Sequence, residues 1–286
     1  EISVDNFDLS VIRHFPFASL EMQKVVIHDA SAPKSPDTLL YASRLSLLFN
    51  FTEVFCQDVS VRKVIVRDGM VHIKVNEQGK DNYHFWKRSA GGEKGGVIDL
   101  QKIILKNMQV SYDDKKDRQL YDLHANMATL SGQFGESAFH LNCDADLFVK
   151  DLWIHGTEYL KEKKAQLLSG IDVNTAKEIY RFPKSEVKVE GVDFLVDGNI
   201  DNSKKDWMLD ISVKTKEADL ASLISLLPSA YVKYLHDFKS SGKFIFTTTV
   251  KGSVNGKNVP DVNVDFAVRN GKLNSPDAPT PVENIT

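Results

Sequence analysis

The sequence predicts a mainly β fold with a few short helices (α+β), arranged as a long twisted antiparallel sheet of repeated strand-kink-strand units that curves into a groove. Three observations predict it. A strand-like phrase recurs at a fixed interval, the apolar residues change parity inside its copies, and helical periodicity is confined to short stretches. The recurring phrase is Gln23 to Asp29 (QKVVIHD), then Arg62 to Gly69 (RKVIVRDG), then Gln101 to Asn107 (QKIILKN). Its lysines, Lys24, Lys63 and Lys102, stand 39 residues apart both times. A fourth phrase, Val187 to Gly191 (VKVEG), resumes the pattern off that interval.

At the N-terminus, Asp8 is placed to cap a turn of helix through Leu9, Ile12 and Phe15, stopped by Pro16. After the first phrase come a strand at Leu45 to Phe49 and a short turn at Thr52 to Phe55. In the second phrase Val64 and Val66 are apolar at even positions, while Val71, Ile73 and Val75 are apolar at odd ones. The face of the strand therefore changes near Asp68-Gly69, and the backbone must kink there. The third copy changes between Leu105 and Val110 across Asn107, and the fourth between Val189 and Phe194 across Gly191. Asp, Asn and Gly tolerate such a backbone.

Turn signals separate the strands at Asn76 to Gly79, Gly91 to Gly96, Asp113 to Asp117 and Asp201 to Asp206. Further strands are expected at Gln119 to Leu130, Ala138 to Phe148, Lys164 to Val173, Trp207 to Lys214, Phe244 to Val250 and Asn263 to Val268. The clearest helix is Ala218 to Leu227, with Leu220, Leu223, Ile224 and Leu227 on one face. Pro228 ends it, and Tyr231, Tyr234, Leu235 and Phe238 continue the spacing in a second short helix. A division follows into a β-repeat region at 1–150 and a continuing sheet at 151–286 with helices near 218–238, in one elongated architecture.

Of the 286 residues 42% are hydrophobic, and 36 Lys plus Arg against 39 Asp plus Glu leave a formal charge of −3. That balance excludes intrinsic disorder and gives no basic footprint for nucleic acid. The longest apolar stretch, Leu45 to Phe51, falls far short of the roughly 20 residues that span a bilayer. The chain opens at Glu1 without Met and stops within PTPVENIT, which reads as an excised piece of a longer protein. Cys56 and Cys143 fit equally a single long-range disulfide and two buried thiols.

Motifs for chemistry are lacking. None of the four Gly-Lys pairs is followed by Ser or Thr, so no phosphate loop is completed, and no Gly-x-Ser-x-Gly elbow occurs. The eight histidines are scattered without His-Glu-x-x-His, and His72 between Val71 and Ile73 suits the solvated side of a strand. Asp144 and Asp146 share one face of a strand, without a third ligand. A glycosidase would need two carboxylates facing each other about 5–10 Å apart. No catalytic, cofactor or metal residue is assigned, and the chain is read as non-enzymatic.

The aromatic residues, among them Phe15, Phe17, Phe49, Phe51, Phe85, Trp86, Trp153, Phe194, Trp207, Phe244 and Phe246, spread over many strands as core residues do. Yet many amphipathic strands with few helices leave an apolar face without a cover. A Val or Phe left in water forfeits about 1.5–3 kcal/mol, so ten in a row forfeit on the order of 15–30. Such a face must meet a second sheet, another protein or a lipid.

The opening EISVDNFDLSVIRHFPFASLEMQKVVIHDAS carries Phe15-Pro16 and a strand ending at Asp29. Asp37-Thr38-Leu39 leads to Leu45-Ser46-Leu47, and Asp68-Gly69, Gly79 and Asn82-Tyr83 precede Trp86. In these features the chain resembles the N-terminal part of the AsmA family of bacterial envelope proteins. Ala218 to Pro228 and Val268 to Lys272 before Pro276-Asp277-Ala278-Pro279 are similar to longer AsmA-like proteins of the Bacteroides group. The resemblance implies a periplasmic protein held to the inner membrane by an anchor upstream of Glu1, related to bridges whose β-groove carries lipid acyl chains, and linked in some members to outer-membrane assembly. It implies no catalytic residues.

The expectation is an apolar β-groove for phospholipid, lined by Val71, Ile73, Val75, Val110, Tyr112, Phe194, Val196, Phe244 and Phe246. No cofactor is expected, and envelope proteins are the expected protein partners. The alternative is a periplasmic scaffold with a closed β core that binds partners by strand addition.

Overall fold

The structure is a computed structural model that describes residues 2–29, 38–50, 60–83, 100–134, 136–203, 206–226, 239–254, 259–274 and 282–285. The turn at Thr52 to Phe55, the Gly91 to Gly96 loop, Cys56, Phe85, Trp86, Pro228 and the second short helix lie outside these residues. Among the described residues sixteen strands pair into one sheet, with almost no helix. In chain order they are β1 Ile2–Ser3, β2 Asn6–His14, β3 Phe17–His28, β4 Thr38–Asn50, β5 Val61–Val75, β6 Lys102–Asp114, β7 Gln119–Ser131 and β8 Ala138–Ile154. Then follow β9 Thr157–Asn174, β10 Ile179–Val189, β11 Val192–Asp201, β12 Trp207–Thr215, β13 Ala218–Asp219, β14 Lys239–Val254, β15 Asp261–Asn274 and β16 Val282–Ile285. Helix α1 spans Leu220–Leu226 and packs on β14.

The chain divides into two compact units, Glu1–Glu136 with Ala145–Glu158, and Ser137–Asp144 with Tyr159–Thr286. In the first, β1 and β2 both pair with β3, and the order continues through β4, β5, β6 and β7. The β5–β6 pair departs from the expected antiparallel meander: these strands run parallel, Lys63 beside Lys102 and Val75 beside Asp114. The interval of 39 is the register of that pair. It keeps equivalent residues of two repeats side by side, as the phrase requires.

The first copy of the phrase is not equivalent in the same way. Among the described residues, β3 pairs with β1, β2 and β4, all antiparallel, and its left-handed residue is Lys24 itself, at φ 49. In the second and third copies the left-handed residues are Asp68 and Asn107, both at φ 52, where the sequence places the kinks. The register continues unbroken across all three, which makes them kinks without an inserted residue.

The fourth copy corrects the reading. Glu190 and Gly191, at φ 47 and 86, form a two-residue hairpin between Val189 and Val192, so the parity change there marks a new strand. His155-Gly156, at φ 51 and 78, makes an equivalent turn between β8 and β9. A true bulge lies inside β10, where register with both neighbours slips near Pro183 and Lys184. Proline has no N–H to give a ladder, and a bulge is where a strand accommodates it.

The expected N-terminal helix is also corrected. Asn6–His14 is strand β2, paired with β3 from Asn6 opposite Gln23 to His14 opposite Phe17. Phe7, Leu9 and Val11 alternate, and this period of two prevails over the Leu9, Ile12, Phe15 spacing.

Candidate functional site

Side chains opposite one another in a β ladder project to the same side of the sheet. In the first unit this rule assembles a broad apolar face. Leu20, Leu47, Val64, Ile103 and Leu130 form one row across β3 to β7, and Met22, Leu45, Val66, Leu105 and Ala128 form the next. Strand β2 extends both rows, with Leu9 opposite Leu20 and Phe7 opposite Met22. These two edge side chains are 68% and 73% exposed.

At the kink row the apolar pattern changes parity in all five strands. Beyond it lie the buried row Val25, Ala42, Met108 and Ala125, with Gly69 completing it, and then Ile27, Leu40, Val71, Val110 and Leu123. Gly69 is dictated by a close approach: a Cβ there would stand 2.0 Å from the Tyr41 carbonyl oxygen. Polar residues occupy the kink row itself. Lys24 donates to Asp5 at 2.9 Å, Asn107 donates to Asp68 at 2.7 Å, and Asn126 donates to Asp146 at 3.1 Å. The last two bonds tie β5 to β6 and β7 to β8, and the first ties β3 to the link between β1 and β2.

The face ends in a tyrosine cluster. Ile73 pairs with Tyr112 and Tyr112 with Tyr121, whose rings stack at 5.4 Å. The Tyr112 hydroxyl donates to Asp114 Oδ2 at 3.0 Å, and that of Tyr121 donates to Gln119 Oε1 at 2.6 Å. Burial, then the Asp114 hydrogen bond, push the Tyr112 hydroxyl far above its ordinary value, and burial raises Tyr121 and Tyr83 as well. All three stay neutral at neutral pH.

Of the nine positions expected to line a groove, Val71, Ile73, Val75, Val110 and Tyr112 lie on this face and are half-buried. Phe194, Val196 and Phe246 lie on a corresponding face of the second unit, also half-buried, beside Thr215, Val213, Thr248 and Val264. Phe244 differs. It is 0% exposed, pairs with Ala218 just ahead of α1 and stacks on Phe266 at 6.2 Å, so it serves the core and not an open lining. Phe7, Leu9 and the rows from Leu20 to Leu130 escaped the sequence reading. For Phe7 and Leu9 the signal is the alternation in Asn6 to Val11, masked by a helix-like spacing.

The remaining polar candidates do not converge. Asp144 and Asp146 are exposed on either side of buried Ala145, and Asp146 is engaged by Asn126. His140 Nδ1 meets Asp172 at 2.7 Å and its Nε2 meets Asn142 at 3.2 Å. Among the described residues no three His, Cys, Asp or Glu side chains gather to hold a metal ion, and no helix is long and apolar enough to cross a membrane. Cys143 is a buried free thiol, raised by burial and then by the Asp144 charge. No family model, curated protein or solved structure matches the chain.

Proposed function

We propose that this chain is a non-enzymatic envelope protein of the AsmA type that holds phospholipid acyl chains against an apolar β-sheet face. One observation carries the reading: the row Leu20, Leu47, Val64, Ile103 and Leu130 is half-buried from β3 to β7, and the apolar face opens to solvent at Phe7 and Leu9 on β2. A closed sandwich would bury those side chains, and leaving them in water forfeits about 1.5–3 kcal/mol each. Acyl chains offer a liquid apolar surface that fits rows of Leu, Val and Ile without needing hydrogen bonds. Binding is then partition along the rows, with no covalent step. A periplasmic setting behind an inner-membrane anchor, and a role in lipid transfer or outer-membrane assembly, belong to the same proposal.

Native mass spectrometry and lipid extraction of the purified chain test it. Co-purifying phospholipid is expected, and it should fall several-fold in a Val71→Asp, Val110→Asp variant of unchanged circular dichroism. Lipid-free protein, or equal lipid in wild type and variant, overturns the reading. A second reading, strand addition by a protein partner, is favoured by β15. Among the described residues β16 pairs with it only at Gly271 and Leu273, which leaves the outer edge of Asp261 to Val268 available.

A further inference from the structure

We propose that a concavity in the first unit, lined by Phe17, Asn50, Arg62, Lys63, Gln101 and Lys102, binds a phosphate group, that of a small soluble phosphoester or of a phospholipid headgroup. The volume is 430 Å³, ample for a phosphodiester. Three of its lining residues are basic, two are amides, one is aromatic, and none of these six is acidic.

The repeat itself sets the charge. Parallel pairing of β5 and β6 places Lys63 directly beside Lys102, on strands about 4.8 Å apart and on the side of the ladder opposite Val64 and Ile103. The Gln101 N–H donates to the Arg62 carbonyl at 2.9 Å, which holds the start of this pair in place. Like charges side by side on a ladder repel each other. Among the described residues no acid lies within ion-pair distance of Lys63 or Lys102. The Lys63 ammonium instead stands 5.0 Å from the centre of the Phe17 ring, which orients it without neutralising it. An anion with several acceptor oxygens removes the repulsion and takes charge-assisted hydrogen bonds from both lysines. The phosphate site does not rest on the lipid-binding reading, since its lysines face away from the apolar rows.

Calorimetric titration of the full chain with three probes separates the two ideas: dihexanoyl phosphatidic acid, dihexanoylglycerol of the same chain length, and glycerol 3-phosphate. The phosphatidic acid should bind about ten-fold tighter than the diacylglycerol, and a Lys63→Gln, Lys102→Gln variant should lose that advantage while binding diacylglycerol as before. Lys63→Arg, Lys102→Arg should restore it and shows that charge, not folding, is responsible. Equal affinity for the two lipids, unmoved by either variant, overturns the phosphate site and leaves the acyl reading standing. Glycerol 3-phosphate binding that the Gln variant abolishes, without any diacylglycerol binding, supports the phosphate site with a soluble ligand and sinks the acyl reading.

Discussion

Single residues carry the tightest constraints, and two glycines show how different their causes are. At Gly69 the obstacle is β4: an added Cβ would meet the Tyr41 oxygen at 2.0 Å and the Ala42 Cα at 2.9 Å, both backbone. At Gly191 nothing lies within 4 Å, and only its φ of 86 resists a side chain. Gly69→Ala should therefore cost at least about 3 kcal/mol in urea denaturation, and Gly191→Ala only about 1. Similar losses for the two would refute the close-approach argument. Tyr112 supplies a pH signature. Its hydroxyl is raised in the folded state from an ordinary value of 10.0, so its stabilising contribution is complete below pH 10 and is lost as pH climbs beyond it. Melting temperature should decline above about pH 10, and Tyr112→Phe should make that decline shallower. An identical alkaline slope in the variant would sever the link between this hydroxyl and the fold.

Among the elements, the kinked strands test whether the row of left-handed residues is a structural device. Asp68 at φ 52 bears two burdens, a backbone that disfavours branched side chains and a hydrogen bond to Asn107. Asp68→Val should cost most, Asp68→Ala less, and Asp68→Gly least, since glycine accepts the backbone and loses only the bond. A double-mutant cycle on Asp68→Ala and Asn107→Ala should give a coupling of about 0.5–1 kcal/mol. Additive losses would make the 2.7 Å contact incidental. These same strands mark how far the sequence could be read. The kinks at Asp68 and Asn107 were legible because apolar residues change parity there. The parallel pairing of β5 and β6 was not, since alternation is the same in either strand direction and the interval of 39 does not specify which copies lie side by side. Lys24 was overlooked as a kink because lysine is an uncommon left-handed residue. Gly191 was misread because a two-residue hairpin and a kink leave the same parity mark.

For the whole molecule, the question is what meets the apolar surface that folding leaves in contact with water. The second unit poses it most plainly at β15, where Val262, Val264 and Phe266 alternate on one side and are 57%, 57% and 51% exposed. By register they share the side of Val250, Thr248 and Phe246, so the exposed strip continues the face that carries Val196 and Phe194. Next to this strip lies the outer edge of the strand, which among the described residues is paired only at Gly271 and Leu273. An apolar strip beside an unpaired edge invites another strand to add, and native sheets commonly guard such edges with lysine. The lipid reading and the strand-addition reading part here. Val264→Lys introduces a charge on the face while leaving the edge N–H and C=O groups untouched. If acyl chains occupy the face, retained lipid should drop several-fold and sedimentation should not change. If strands add at the edge, lipid content should stay constant, and replacing the edge amide with Val264→Pro should reduce concentration-dependent association that Val264→Lys only weakens. Position 264 is exposed and opposite Thr248, so the lysine should shift the melting temperature little, and lipid content then reports the surface and not a loss of fold.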